Sequence, residues 1–240
     1  MKGRALIINA DDLGYEPEVT RGIIEAMREG VVSSTTLIVN GPHSAAAAAL
    51  AKGLSVGLHL NLARWPKCSG KGDWDEAQAA ALDAASAAKE THAQVERFEA
   101  LLKRKPTHID VHKHLHRHAA VLEGVAKAAA QHRLPVRSID KDMRAALRKH
   151  NAATNDHFLG EAGSGGPAYW TLDQFEKTLQ ALPKSGVIEL MCHPGYAPRL
   201  IESGYSNQRE TELQTFTNPS ARAWLERLEI VPISWHAAFS

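Results

Sequence analysis

The sequence predicts an irregular (β/α) barrel of the TIM type, α/β in class, with about seven parallel strands in a single domain. Three observations predict it. Short β-prone apolar runs alternate with helix-patterned stretches, as repeated βα units with right-handed crossovers require. No Pro-rich or Gly/Ser-rich linker divides the 240 residues. The residues with chemical potential fall at the ends of predicted strands, the edge that a barrel gathers into one catalytic face.

Taken in order, Ala5–Asn9 reads as a buried strand and Pro17–Glu29 as a helix with Val19, Ile23, Ile24 and Met27 on one face. Pro17 suits the first helical position, where the missing N–H costs nothing. Thr36–Val39 is a second strand, His43–Lys52 an alanine-rich helix, and Ser55–Leu62 a third strand. After a loop with Pro66, Gly70 and Gly72, Ala77–Lys103 reads as one long helix. Thr107–Val111 is a fourth strand, Ala119–His132 a helix, Val136–Ile139 a fifth strand and Met143–His150 a basic helix. The glycine-rich segment Asn151–Tyr169 reads as a loop with room for one short strand. Helix Leu172–Leu182, strand Gly186–Cys192, helix Arg209–Phe216 and strand Ile230–Ile233 complete the pattern.

Composition narrows the function classes. The 28 Lys+Arg against 27 Asp+Glu leave a net charge of +1, which argues against a broad electrostatic grip on nucleic acid or an anionic membrane. Arg144, Arg148 and Lys149 form only a small basic face. Cys68 and Cys192 fit no zinc pattern and no secreted-type disulfide framework, and no apolar run approaches a membrane span. The apolar run after Met1–Arg4 is too short for a signal-peptide core, so a soluble, cytoplasmic protein is expected.

The anomaly is histidine, with 13 copies, five of them within His108–His118. Four segments end predicted strands with reactive side chains. Asn9-Ala10-Asp11-Asp12-Leu13-Gly14 offers adjacent carboxylates, or a simple Asx turn into the next helix. Gly57–Leu62 carries His59 between leucines, which reads as a ligand or as a hydrogen-bonded core histidine. His108–His118 has histidines and Asp110 at period two, on one face if extended; the strand is expected to end near Val111 or His112 with a loop carrying the rest over the catalytic rim, the alternative being a solvated polar loop. Met191–Tyr196 places His193 before a Pro194-Gly195 turn. Cys192 points to the opposite face and reads as core. In a barrel Asp12, His59, His112 and His193 converge, and one carboxylate with two imidazoles leaves positions open for water at a metal.

On these segments, with Gly30–Asn40 and Pro106–His116, the chain resembles the YdjC-type carbohydrate deacetylase family, which includes chitooligosaccharide deacetylases. The resemblance implies a metal-dependent hydrolase that removes acetyl groups from N-acetylated sugars. It implies one divalent ion (zinc or magnesium, with cobalt admitted) on Asp12, His59 and His112. It further implies Asp11 as catalytic base, His193 as general acid and Arg137 at the same rim. His114 and His116 are expected to bind substrate or orient the ligands, and Trp65 and Trp74 to stack on sugar. An N-acetylated carbohydrate is the expected partner, with no nucleic acid, and a homodimer is admitted. The chain departs from the family pattern at Leu13, where phenylalanine is frequent, and in the short Ala63–Glu76 segment. A phosphoesterase-like barrel with several metals would need further carboxylates, of which Glu189 is the obvious one. A non-catalytic metal- or sugar-binding protein would not need the Asp11–His193 pair.

Overall fold

The computed structural model describes residues 4–160, 168–201 and 203–240. The strands are β1 (Arg4–Leu13), β2 (Ser34–Leu37), β3 (Val56–Leu60), β4 (Ile109–Val111), β5 (His157–Leu159), β6 (Ile188–Cys192) and β7 (Ile230–Pro232). The helices are α1 (Pro17–Arg28), α2 (Ser44–Leu50), α3 (Glu76–Ala80), α4 (Ala84–Leu102), α5 (Ala119–His132), α6 (Lys141–Lys149), α7 (Leu172–Gln180), α8 (Asn207–Thr217), α9 (Pro219–Arg227) and α10 (Trp235–Phe239). All strand pairings are parallel, in the order β4-β3-β2-β1-β6-β5, with β7 beside the start of β1. The sheet curls into a half-barrel with helices around it, as the alternating pattern predicts. No described helix is long and apolar enough to cross a membrane.

The barrel interior is polar at its heart, and strand alternation explains why. Leu6, Ile8 and Ala10 of β1 join the apolar core, so the alternate residues Asn9 and Asp11 face the other side with zero and 2% exposure. The register sets Ile7 beside Glu189 and His59 beside Asp110, adding three more ionisable groups to that side.

Three expectations are corrected. The predicted helix Ala77–Lys103 is two helices, because Asp75 and Asp83 each act as an N-cap, Asp83 accepting from Ser86 N at 2.7 Å. The predicted strand Val136–Ile139 is reduced to one bridge between Val136 and Ile109. There Ile109 N donates to Pro135 O and Arg137 N to Ile109 O, while Val136 N donates to Ala153 O on the far side. The Asn155 side chain then takes over both the N–H and C=O of Ser138, so side chain replaces ladder. This segment spans the gap between the β4 and β5 edges of the sheet. Lastly, α9 and α10 were absent from the sequence pattern, although Asn218 as cap and Pro219 at the first position signal α9. The short strand allowed within 151–169 is β5; Gly163, Gly165 and Gly166 lie outside the described residues.

Candidate active site

Two neighbours on a strand point to opposite faces, yet Asp11 and Asp12 both line one cleft of about 260 Å³ at the C-terminal strand ends. The backbone explains this. Asp12 sits at φ 72°, and the β1–β2 register slips between Ala10 and Leu13, so the strand turns there and swings Asp12 onto the side of Asp11. Lys113 and His114, at φ 55° and 51°, do the same after β4, where six residues wind into a tight helical turn. Arg64, at φ 82°, lines the same cleft. Left-handed non-glycine residues thus gather at the site, where such strain is normally retained for function.

Asp12, His59 and His112 form a triangle. His59 Nε2 and His112 Nδ1 lie 3.2 and 3.3 Å from Asp12 Oδ1 and 3.0 Å from each other. Donors bound at about 2.0–2.1 Å to one ion lie about 2.8–3.4 Å apart between right and tetrahedral angles. Asp12 Oδ1 is buried with no hydrogen-bond partner, and Asp110 Oδ1 accepts from His59 Nδ1 at 2.7 Å. That second bond fixes the tautomer and leaves the Nε2 lone pair facing the triangle, the usual carboxylate–histidine support of a metal ligand. The donor set therefore fits a divalent cation. Burial opposes charge on His59, but the Asp110, Asp12 and Asp11 carboxylates outweigh it and raise the imidazole pKa to about 10, so Nε2 carries a proton that a bound cation would displace. Asp12 Oδ2 is held by Arg209 Nη2 at 2.6 Å, and despite burial this guanidinium keeps the carboxyl well below its usual range.

Beneath the triangle lies a second cluster, Asp11, His59 and Asp110, whose oxygens and nitrogens also come close enough for a metal. Its cation is already supplied by protein. Arg137, fully buried, donates Nη1 and Nη2 to Asp11 at 2.6 and 2.7 Å, and its Nη1 lies 3.0 Å from Asp110. Its Nε and Nη2 reach Glu189 Oε1 at 2.9 and 2.8 Å. Burial would push the Asp11 carboxyl up, yet the Arg137 fork holds it far below the normal range and therefore ionised. Asn9 Nδ2 adds a bond to Asp11 Oδ1 at 2.8 Å, so three of about four acceptor sites on Asp11 are taken and one remains for the cleft. Burial raises Glu189 to about 7 against the pull of Arg137.

The structure sorts the other sequence candidates. His193 lines the cleft, its backbone N–H donating to the buried Glu212, and burial lowers its side-chain pKa to about 4, so its imidazole is neutral at physiological pH. His114 also lines the cleft, with Nδ1 buried and without a partner. Three expectations change. Arg137 is not at the rim; the single bridge at Val136 turns it inward, beneath Asp11. His116 is buried away from the cleft, where its Nε2 meets Arg137 O at 3.2 Å and burial lowers its pKa to about 3. Trp65 and Trp74 do not line the cleft either. Trp65 packs edge-on against Tyr15 with ring centroids 5.6 Å apart, and Trp74 lies under Lys67. Tyr15, which does line the cleft, accepts from Arg64 Nη1 at 2.5 Å.

Sequence reasoning assigned no role to Asp110, Arg209, Tyr15, Arg64 or Tyr205. The period-two run through His112 carries a signal for Asp110; for Arg209, on a helix remote from β1, the signal is the weaker family-like stretch Tyr205–Leu213. The His193 turn is positioned by α1. A Cβ on Gly22 would stand 2.5 Å from Gly195 Cα, backbone against backbone, with no flexible atom to yield. Gly22→Ala is therefore expected to lower stability by about 1–3 kcal/mol. It should also reduce activity by displacing His193; thermal melts and turnover of the variant, measured together, check both.

Fold and site define an α/β half-barrel protein with a carboxylate–imidazole cleft at its C-terminal strand ends. The chain belongs to the YdjC-like protein family, whose profile matches residues 5–227. It is 35% identical over 239 residues to a chitooligosaccharide deacetylase of Yersinia pestis strain Pestoides F, covering 91% of this chain and 93% of that one. A carbohydrate deacetylase of Geobacillus stearothermophilus is 36% identical over 231 residues, covering 90% and 91%. Among solved structures, a protein of Enterococcus faecalis V583 described as a candidate for cellobiose-phosphate cleavage superposes with a TM-score of 0.87 at 27% identity, over all of both chains.

Proposed function

We propose that the chain is a divalent-metal-dependent carbohydrate deacetylase that hydrolyses the acetamide of an N-acetylated sugar, and that residues 1–240 form one such domain. The observation that carries this reading is the Asp12–His59–His112 triangle sharing a cleft with Asp11, whose remaining acceptor site is free. The family's named deacetylases support it.

A divalent ion (zinc, magnesium or cobalt) on Asp12, His59 and His112 would supply an acidified water and polarise the acetyl carbonyl. Asp11 accepts the proton of the attacking water; the Arg137 fork keeps that carboxylate ionised and aimed while it waits. His193 delivers a proton to the departing amine, which cannot leave as an anion at neutral pH. Because burial keeps His193 neutral at rest, the proton it hands to the amine is the one Asp11 takes from the attacking water, passed on as negative charge develops on the attacked carbonyl and the C–N bond breaks. His114 borders the same space and contacts the sugar. A cleft of about 260 Å³ falls below the roughly 300 Å³ of a drug-sized pocket, so it encloses one sugar ring and leaves further residues outside.

A phosphoesterase with several metals fits less well. Its extra carboxylate, Glu189, is fully buried and tied to Arg137 and Trp235 Nε1, and Arg137 fills the second acidic cluster. The test is acetate release over a panel of N-acetylated mono- and oligosaccharides, with chelator and metal add-back. Asp11→Asn should retain bound metal and lose activity by about 10²–10⁴-fold, the usual range for a general base. A fully active Asp11→Asn protein would overturn the assignment.

A further inference from the structure

The opposite end of the barrel carries a second cavity, of about 670 Å³, that has no part in the chemistry above. It opens where strands begin: Ser55 precedes β3, Thr107 precedes β4, and Pro135 precedes the bridging segment. Its walls hold Arg104, Lys105 and Arg133, with His132 and His236 beside them, and no Asp or Glu side chain among the described residues lines it. Leu54, Leu134, Trp235 and Phe239 supply an apolar side, and Trp235 and Phe239 stack with ring centroids 5.1 Å apart.

Two features show an unbalanced positive charge here. Arg104 Nη2 is turned onto the carbonyl of Leu54 at 2.5 Å, and partial burial lowers its pKa with no carboxylate acting against that. A cation in that position gains from a counter-ion. The ends of α4 and α5 meet at this wall, and each helix C-terminus is worth roughly half a negative charge. Against three permanent cations, with the carboxylate of Ser240 also at the wall, this leaves a balance of roughly one positive charge. Glu96 and Glu99 act on His132 from α4 but lie outside the lining.

We propose that this cavity is a binding site for a small phosphorylated metabolite, with the phosphoryl dianion held by Arg104, Lys105 and Arg133 and the body against the apolar side. The three cationic side chains outweigh the negative groups at this wall, and such side chains bind phosphate through charge-assisted hydrogen bonds. The volume suits a single metabolite, within the range of small-molecule sites. The whole chain's near-zero net charge gives a polyanion no comparable hold.

The test titrates the full chain with inorganic phosphate and with glucose 6-phosphate, against glucose and ionic-strength-matched sodium chloride. Calorimetry and tryptophan fluorescence are the readouts, because Trp235 borders the cavity. Saturable one-to-one binding of both phosphates is expected, with glucose and chloride silent. The double variant Arg104→Gln/Arg133→Gln, altered at exposed positions, should weaken binding at least about tenfold, since charged hydrogen bonds are lost. Its acetate release without phosphate should stay unchanged. Tighter binding of glucose 6-phosphate than of inorganic phosphate would show that the body contributes; equal affinity would show that the phosphoryl group alone is held. A titration identical to chloride overturns the site. Binding that survives the double variant but is lost in His112→Ala overturns it too, since the phosphate would then sit in the acidic-imidazole cleft. Preferential binding of a single-stranded oligonucleotide through the same arginines would replace the small-molecule assignment with a nucleic-acid one.

Discussion

Arg137→Ala is expected to lower the unfolding free energy by about 3–5 kcal/mol, the cost of leaving a buried ion-pair partner uncompensated. The side chain is fully buried and its one guanidinium serves Asp11, Asp110 and Glu189, so its removal strands three buried carboxylates at once. Domains hold only about 5–15 kcal/mol in total, so the variant should sit near the limit of folding. Arg137→Lys should recover part of the loss, because an ammonium restores charge without the planar fork that spans both Asp11 oxygens. The loss also depends on pH with a definite sign. In the native protein the Arg137 fork depresses the Asp11 pKa, so its stabilisation is present above the unfolded carboxyl value, about 3.9, and is lost as pH falls through the folded one. Without Arg137 the same buried carboxyls prefer to be protonated. The gap between the two proteins should therefore widen as pH rises above about 4 and narrow below it. Urea midpoints at several pH values measure this, and a pH-independent difference under about 1 kcal/mol would show that the network contributes little.

His59→Ala should abolish metal loading and reduce deacetylation by at least about 10³-fold. One of three donors goes, and the Asp110 oxygen that the imidazole satisfied is left without its partner. Asp110→Asn probes the support and not the ligand. The amide cannot hold the His59 tautomer as the carboxylate does, and weakening of metal affinity by about 10–100-fold is expected. Metal content by mass spectrometry, read beside acetate release, separates the two effects. A His59→Ala protein with wild-type metal content and turnover would remove the basis for a metal at this triangle.

The strand ends were legible because each β run is short, apolar and followed by a chemically conspicuous residue; Asp12, His59, His112 and His193 do meet in one cleft. The period-two relation of His108, Asp110 and His112 extends only as far as the strand, which ends at Val111 as expected. Beyond it Lys113 and His114 take left-handed backbone, which returns His114 to the cleft and sends His116 beneath it. No local pattern announces that turn. Arg137 could not be placed from sequence, because its direction depends on whether residues 136–139 form a full strand or a single bridge, and the Asn155 side chain decides this from a distance. Arg209 meets Asp12 across 197 positions of chain. In the alanine-rich stretch before Lys103, helix propensity concealed the caps at Asp75 and Asp83 that divide it.

The turn at Asp12 has a consequence for anyone reshaping the protein. Alternation normally lets a strand be edited one face at a time, but here a left-handed residue cancels the alternation where it matters. The adjoining acids behave as one inseparable part. A β-branched residue at position 12 would not merely subtract a donor; by resisting the kink it would also turn its neighbour away. Transplanting this cleft to another barrel means grafting the bend first and the side chains second.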